Sequence, residues 1–232
     1  MAGLLGILLL LGGAGGVGAQ QIDGLQQLEA RLNADADNLE AGNSYRKAVI
    51  AAGAYDRALD TFKTVVAQHP RSANAYLNYG FAYVDKIPAA GSITQVILAN
   101  SALTQFTKSI ELQPTWIAYY TRGASYLFWP KIFGRASLGV ADLQEALRIQ
   151  RHEPKHSYHV RTFIALGDGY WKSDDRVRAR DTWKAGLQEF PGTAALEARL
   201  AADDAKLAAI IDAAFDPNQR VDTDLSDLWS DR

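Results

Sequence analysis

Apolar residues between positions 160 and 193 follow the spacing of two short helices joined by a turn. A first stripe recurs at intervals of three and four residues: Phe163, Leu166 and Tyr170. A second stripe follows after residues 173–175, whose Ser-Asp-Asp sequence can end one helix and cap the next: Ala179, Trp183, Leu187 and Phe190. One such hairpin cannot bury its own apolar face, so the pattern predicts neighbouring hairpins.

Three further segments repeat this pattern with defects: residues 39–72, 73–115 and 116–151. In 39–72, Gly42 and Arg46 stand where the pattern has an aromatic residue and a glycine. The segments 73–115 and 116–151 are longer by ten and four residues at the turn between their helices. Because both insertions fall at the same point of neighbouring hairpins, we expect the two enlarged turns to lie on one edge of the stack.

The spacing in 160–193 resembles the tetratricopeptide repeat, whose period is about 34 residues. The matching positions are Phe163, Leu166, Gly167, Tyr170, Ala179, Trp183 and Pro191. The resemblance covers residues 39–214 and implies an all-α fold of stacked helical hairpins, an α-solenoid. Residues 194–215, rich in alanine and leucine, are expected to form a C-terminal capping helix in one or two pieces.

The ends of the chain differ from the repeats. Residues 1–19 are apolar and end in small residues, which is typical of a secretory signal peptide, although no Lys or Arg precedes the apolar run. An uncleaved membrane anchor is the alternative. Residues 20–38 are predicted to form an amphipathic helix on the first repeat or a linker.

Residues 216–232 form an acidic tail, and between positions 203 and 232 eight aspartates face three cations. Such a tail is expected to be mobile. A second interpretation follows from the apolar triplet Leu225, Leu228 and Trp229. This triplet could dock on another protein, or fold into the chain's own groove, where Arg161 and Lys172 would complement the aspartates.

Composition limits the function further. The 232 residues are 48% apolar and 22% charged with a net charge of −2, which excludes a generally basic protein that coats nucleic acid. There is no cysteine, so disulfides, thiolate metal sites and cysteine nucleophiles are excluded together.

One stretch has the spacing of a zinc protease motif. Residues 152–156 read His-Glu-Pro-Lys-His, but Pro154 keeps His152 out of any helix that contains His156. We therefore predict neither an enzyme nor a resident metal or cofactor. Whether the linker from His152 to His159 binds a metal ion stays open.

The resemblance also implies a partner-binding groove lined by first-helix side chains. Carried over to this chain, the groove residues are Asn43, Lys47, Asn74, Leu77, Phe81, Tyr120, Phe128, Arg161, Asp168, Trp171 and Lys172. A clamp for a C-terminal carboxylate is not predicted, because Ile117 and Thr121 occupy positions that would have to be basic.

These features predict a non-catalytic adaptor or scaffold that holds a peptide or helix in the bacterial periplasm, without nucleic acid. The alternative is a small-molecule-binding accessory subunit of a periplasmic transport system. Membrane contact is expected only if the N-terminal segment stays uncleaved.

Overall fold

The computed structural model describes the backbone of residues 15–230 and the side chains from residue 24 to residue 230. Every regular element in that range is helical, so the all-α prediction is confirmed. Short 3-10 turns at Ile87–Ala89, Lys131–Phe133 and Ser157–His159 connect some of the α-helices. The α-helices are α1 Gly15–Ala34, α2 Leu39–Ala52, α3 Tyr55–Gln68, α4 Ala73–Lys86, α5 Ser92–Leu112, α6 Trp116–Leu127, α7 Ala136–Gln150, α8 Val160–Lys172, α9 Arg176–Glu189, α10 Ala194–Ala201, α11 Asp204–Ala214 and α12 Asp227–Ser230.

Four antiparallel hairpins, α2–α3, α4–α5, α6–α7 and α8–α9, stack in chain order. Polar caps mark where the first three begin. The side-chain oxygens of Asn38, Ser72 and Thr115 accept backbone N–H groups of the first turns of α2, α4 and α6. Each cap satisfies a donor that the helix itself cannot, and this local chemistry places the start of each hairpin.

Glycine allows the two helices of a hairpin to approach each other. A Cβ atom on Gly80 would lie 2.3 Å from the Phe106 ring, and one on Gly167 would lie 2.1 Å from Nε1 of Trp183. Phe106 and Trp183 are both fully buried. The α4–α5 and α8–α9 hairpins therefore pair a glycine on the first helix with a large ring on the second, and that pairing sets the helix spacing.

The inserted residues lengthen α5 and the α6–α7 turn. Helix α5 has 21 residues, whereas α3 and α9 have 14 each, a difference of about two turns. The turn after α6 is held by Trp129, which is buried and lies under the Arg135 guanidinium at 3.6 Å. Arg135 also donates to Asn100 Oδ1 of α5 at 3.1 Å, so the two enlarged regions are in contact.

The N-terminal helix packs on the first hairpin through buried Leu25 and Leu32. Its Glu29 accepts hydrogen bonds from Tyr45 and Arg57, both at 2.7 Å. Helix α1 begins at Gly15, inside the stretch interpreted as a signal peptide, and residues 1–14 lie outside the described residues. Within the described part of the chain, no helix is long and apolar enough to cross a membrane.

Two helices cover the last hairpin. Leu196 of α10 and Leu207 and Ile211 of α11 are buried in one cluster with Trp183. The Asp203 side chain accepts a hydrogen bond from the Lys206 backbone N–H and so caps the start of α11. This cap separates α11 from α10. Beyond α11 the chain turns back over the hairpins, and the last described element is the short helix α12.

Candidate functional site

The C-terminal segment, defined as residues 216–230, lies against the first helices of the hairpins. Its residues hydrogen-bond to α2 at Asn43, Arg46 and Lys47, to α4 at Asp85 and to α8 at Arg161. We call this surface of α2, α4, α6 and α8 the groove. The sequence left three arrangements open for the tail: a mobile tail, docking on another protein, and docking in the chain's own groove. The structure has the third.

Arg46 is the central polar residue of the groove and is only 1% exposed. Its guanidinium pairs with Asp85 at 3.1 Å, donates to Asn78 Oδ1 at 3.1 Å and lies 4.6 Å above the Phe81 ring. It also donates to the carbonyl oxygen of Thr223 at 2.9 Å. Burial lowers the pKa of Arg46, and the adjacent Asp85 opposes that shift. An arginine remains a cation under these conditions.

Asn43 contacts both the backbone and a side chain of the C-terminal segment. Its Oδ1 accepts the Leu225 N–H at 3.1 Å, and its Nδ2 donates to Asp224 Oδ1 at 2.9 Å. Asn43 itself is 1% exposed and receives a hydrogen bond from Arg46. Together Asn43 and Arg46 hold the main chain of residues 223–225, and contacts of that kind do not depend on which side chains the bound segment carries.

Charged contacts surround this backbone clamp. Lys47 pairs with Asp224 at 2.6 Å, Arg161 pairs with Asp227, and the Thr223 hydroxyl donates to Asp85. Burial would raise the pKa of Asp224, but hydrogen bonds from Lys47, Ser226 and Asn43 outweigh it and hold that pKa well below its usual range. The groove therefore favours the carboxylate form of Asp224.

One leucine anchors the segment by apolar contact. Leu225 is 4% exposed and packs in a cluster with Leu77, Phe81 and Phe106. Leu228 and Trp229 are partly buried at the border of the same cluster. The apolar triplet of the tail thus covers the α4–α5 hairpin.

A cavity of about 540 Å³ lies beside this anchor, between α4, α5, α6 and the segment. Its lining is mainly apolar and includes Phe81, Val84, Val96, Ile117, Tyr120, Phe128, Trp129, Val221 and Leu225. Volumes of this size accommodate small ligands or large side chains. The C-terminal segment therefore leaves part of the groove unfilled.

Seven of the residues predicted to line the groove come together here. Asn43, Lys47 and Arg161 bond to the segment, and Leu77 and Phe81 pack in its apolar cluster. Tyr120 and Phe128 line the cavity. Burial raises the pKa of the Tyr120 phenol, so it stays protonated.

Two other predicted groove residues bond elsewhere. Asn74 donates to the Asp37 carbonyl at 2.9 Å and so joins α4 to the loop after α1. Asp168 accepts two hydrogen bonds of 2.7 Å from Arg199 of α10, and both side chains are buried. Burial raises the pKa of Asp168, and Arg199 opposes that shift.

Trp171 and Lys172 lie beside the capping helices. The centres of the Trp171 and Trp183 rings are 6.5 Å apart. The Arg176 guanidinium lies 4.7 Å from the centre of the Trp171 ring. The Lys172 ammonium is 5.1 Å from the centre of the Phe215 ring. Burial lowers the pKa of Lys172. Among the described residues, Lys172 forms no ion pair with the C-terminal segment, whereas Arg161 does.

Sequence reasoning missed Arg46 as a groove residue. It occupies the repeat position where a glycine is expected, so the spacing marks it only as a defect. A charged residue at a position that normally faces the partner helix is a usable signal, because burying a charge requires counter-charges nearby. Asp85 supplies one of them.

The histidine linker has no helical zinc motif. Helix α7 ends at Gln150, and Nδ1 of the exposed His152 lies 2.8 Å from the Arg148 carbonyl. The rings of His156 and His159 lie 5.4 Å apart. Among the residues that the structure describes, no group of three His, Cys, Asp or Glu side chains is placed to hold a metal ion.

Comparison with known proteins agrees with this architecture at the level of fold. No family model matches the chain, and no curated protein matches it. A thermophilic TPR protein from Thermus thermophilus, TTC0263, superposes with a TM-score of 0.57 and 21% identity, over 83% of this chain and 93% of that one.

Two further solved structures are similar. MamA has a TM-score of 0.52 and 19% identity, over 75% of this chain and 84% of its own. YrrB, described as a TPR protein with an unusual peptide-binding site, has a TM-score of 0.52 and 14% identity, over 87% and 88%. The chain therefore has the tetratricopeptide-type fold that its hairpin spacing predicts.

Proposed function

We propose that this chain is a non-catalytic interaction scaffold of the cell envelope that holds a peptide or helical segment of a partner protein in the groove. The observation that carries the proposal is the seating of the C-terminal segment. Asn43 and Arg46 hold its backbone, Lys47 and Arg161 pair with its aspartates, and the α4–α5 hairpin receives Leu225. YrrB, a fold neighbour, is described as having a peptide-binding site.

The binding test uses the full chain with its own segment unseated. In the variant Asp224→Lys/Leu225→Ser/Asp227→Lys, lysines face Lys47 and Arg161, so the segment should leave the groove; we call this the released variant. A fluorescein-labelled peptide of residues 216–230 should bind the released variant. Binding should raise the fluorescence anisotropy of the peptide. Absence of binding, with the helical circular dichroism intact, would overturn the proposal.

The envelope location rests on residues 1–19. We expect a C-terminally tagged native chain to fractionate with the periplasm and to have the mass of a chain that begins at Gln20. A full-length mass in the membrane fraction supports the anchored alternative. A full-length mass in the cytoplasm contradicts both.

A second function is favoured by the unfilled cavity. Its volume of about 540 Å³ and its aromatic lining fit a small-molecule-binding accessory subunit of a transport system. A thermal-shift screen against metabolites would reveal stabilising ligands. In the variant Ala124→Phe the new ring would occupy the cavity, so a genuine cavity ligand should no longer raise its melting temperature.

A further inference from the structure

The C-terminal segment shows which partner chemistry the groove selects. Lys47 and Arg161 lie on different hairpins, and the ion pairs of both are made to the segment, with Asp224 and Asp227. Arg46, in contrast, has its counter-charge within the groove, in Asp85. Removal of the segment would therefore leave two groove cations without their carboxylates, and an incoming ligand gains by supplying both.

The spacing of the charges adds geometric selectivity. Asp224 and Asp227 are three residues apart and flank the buried anchor Leu225. Because Asn43 and Arg46 fix the main chain at residues 223–225, a ligand must place its first carboxylate directly before its leucine to reach Lys47. The second carboxylate then reaches Arg161 from the first turn of a short helix, as Asp227 does in α12.

The C-terminal segment is held weakly enough to leave the groove. Within the segment, positions 217–222 join the docked residues 223–230 to α11 and are exposed. The Lys47 and Asp227 side chains are about half exposed. Exposed ion pairs contribute little to stability and weaken with salt. Leu225 and the backbone contacts of Asn43 and Arg46 therefore supply most of the affinity, and the two ion pairs supply the preference for an acidic ligand.

The cavity gives an external ligand an advantage over this tethered segment. A short flexible tether corresponds to an effective concentration of the order of millimolar, which an external peptide must overcome. Val221 borders the cavity and is 36% exposed, so it fills the space poorly. A larger apolar side chain at that position would bury more surface and should therefore raise the affinity several-fold.

We infer that the groove selects an acidic partner segment with the sequence Asp-Leu-x-Asp and a large apolar residue three positions before the first aspartate. The chain's own C-terminal segment is the built-in competitor for this site. The inference rests on the proposed function, because it specifies the ligand of the same groove. The ligand of the groove is then a segment of a different protein, which replaces the chain's own C-terminal segment.

The experiment compares labelled peptides on the released variant. The parent peptide is residues 216–230, the uncharged peptide carries Asp224→Asn and Asp227→Asn, and the third carries Val221→Phe. We expect the uncharged peptide to bind several-fold more weakly at 50 mM salt, and the Val221→Phe peptide to bind several-fold more tightly. We also expect the parent peptide to bind the unmodified chain at least ten-fold more weakly than the released variant.

Charge reversal provides a matched control. Lys47→Glu in the released variant should weaken binding of the parent peptide, because Asp224 of the peptide would then face a carboxylate. Lys63→Glu, the same change on the exposed side of α3, should leave the affinity for the parent peptide unchanged. If the released variant does not fold, the same comparison is made in the unmodified chain by competition at high peptide concentration.

The outcomes separate the two proposals. Equal affinity for the parent and uncharged peptides overturns acidic selection while peptide binding itself stands. If no peptide binds at all, the proposed function fails as well. A concentration-dependent dimer of the unmodified chain that the parent peptide dissociates would identify a second copy as the occupant and overturn the commitment to a different protein.

Discussion

The guanidinium of Arg46 donates a hydrogen bond of 2.9 Å to the carbonyl oxygen of Thr223, which lies 177 residues later in the chain. The same side chain pairs with Asp85 on the neighbouring hairpin. One buried cation thus joins α2, α4 and the C-terminal segment. Arg46 stands at the repeat position where a glycine is expected. The same residue binds the main chain of the C-terminal segment.

Removing this cation should destabilise the fold. We expect Arg46→Leu to lower the free energy of unfolding by about 3–5 kcal/mol, because Asp85 would stay buried without its counter-charge. The double variant Arg46→Leu/Asp85→Leu should recover most of that loss, since both charges are gone. Urea denaturation measures both. An equal loss in the single and double variants would show that the contact with Thr223, and not the ion pair, provides the stability.

Two glycines should respond in opposite directions to alanine. At Gly167 a Cβ would lie 2.1 Å from Trp183, so Gly167→Ala should cost about 1–3 kcal/mol through overpacking. At Gly24, in α1, a Cβ would have no heavy atom within 4 Å, so Gly24→Ala should stabilise by about 0.5–1 kcal/mol. Thermal or urea unfolding of the pair tests this. A stable Gly167→Ala variant would mean that the Trp183 ring can move.

Stability should depend on pH through His159. Burial, with a smaller contribution from His156, lowers the pKa of His159 from its usual 6.5 to about 4. Between these values the unfolded chain binds the proton and the folded chain does not, so acid favours unfolding. Stability should be level above pH 6.5 and fall by as much as ~3 kcal/mol as the pH approaches 4.

Substitution of the histidine tests the assignment. The slope of unfolding free energy between pH 6.5 and 4 should be smaller in His159→Gln than in the unmodified chain. His152→Gln, on an exposed residue of the same linker, is the matched control. An unchanged slope in His159→Gln would show that other groups cause the acid sensitivity.

The outer face of α5 should contribute little to stability. Ile93 and Ile97 are 82% and 59% exposed, whereas Leu98 is 5% exposed. We expect Ile93→Gln/Ile97→Gln to change the unfolding free energy by no more than about 0.5 kcal/mol. Leu98→Ala on the same helix should cost about 2–5 kcal/mol. A large loss in the glutamine variant would mean that this face is covered by another chain in solution.

Local sequence determined the helices of this protein. Apolar spacing, glycine opposite a large ring, and caps such as Ser72 act over a few residues or within one hairpin, so the all-α stack of hairpins could be predicted. The two enlarged turns could also be located, because they interrupt a regular period. Arg46 could be recognised only as an exception to that period.

Only the tertiary structure decided where the C-terminal segment lies and which groove residues meet it. Asn43 and Leu225 come together because four stacked hairpins set the spacing of the groove, and no local pattern encodes that distance. The same holds for Asp168, which family position places in a groove but which the capping helix buries against Arg199. Contacts between residues far apart in sequence depend on the summed geometry of every hairpin between them.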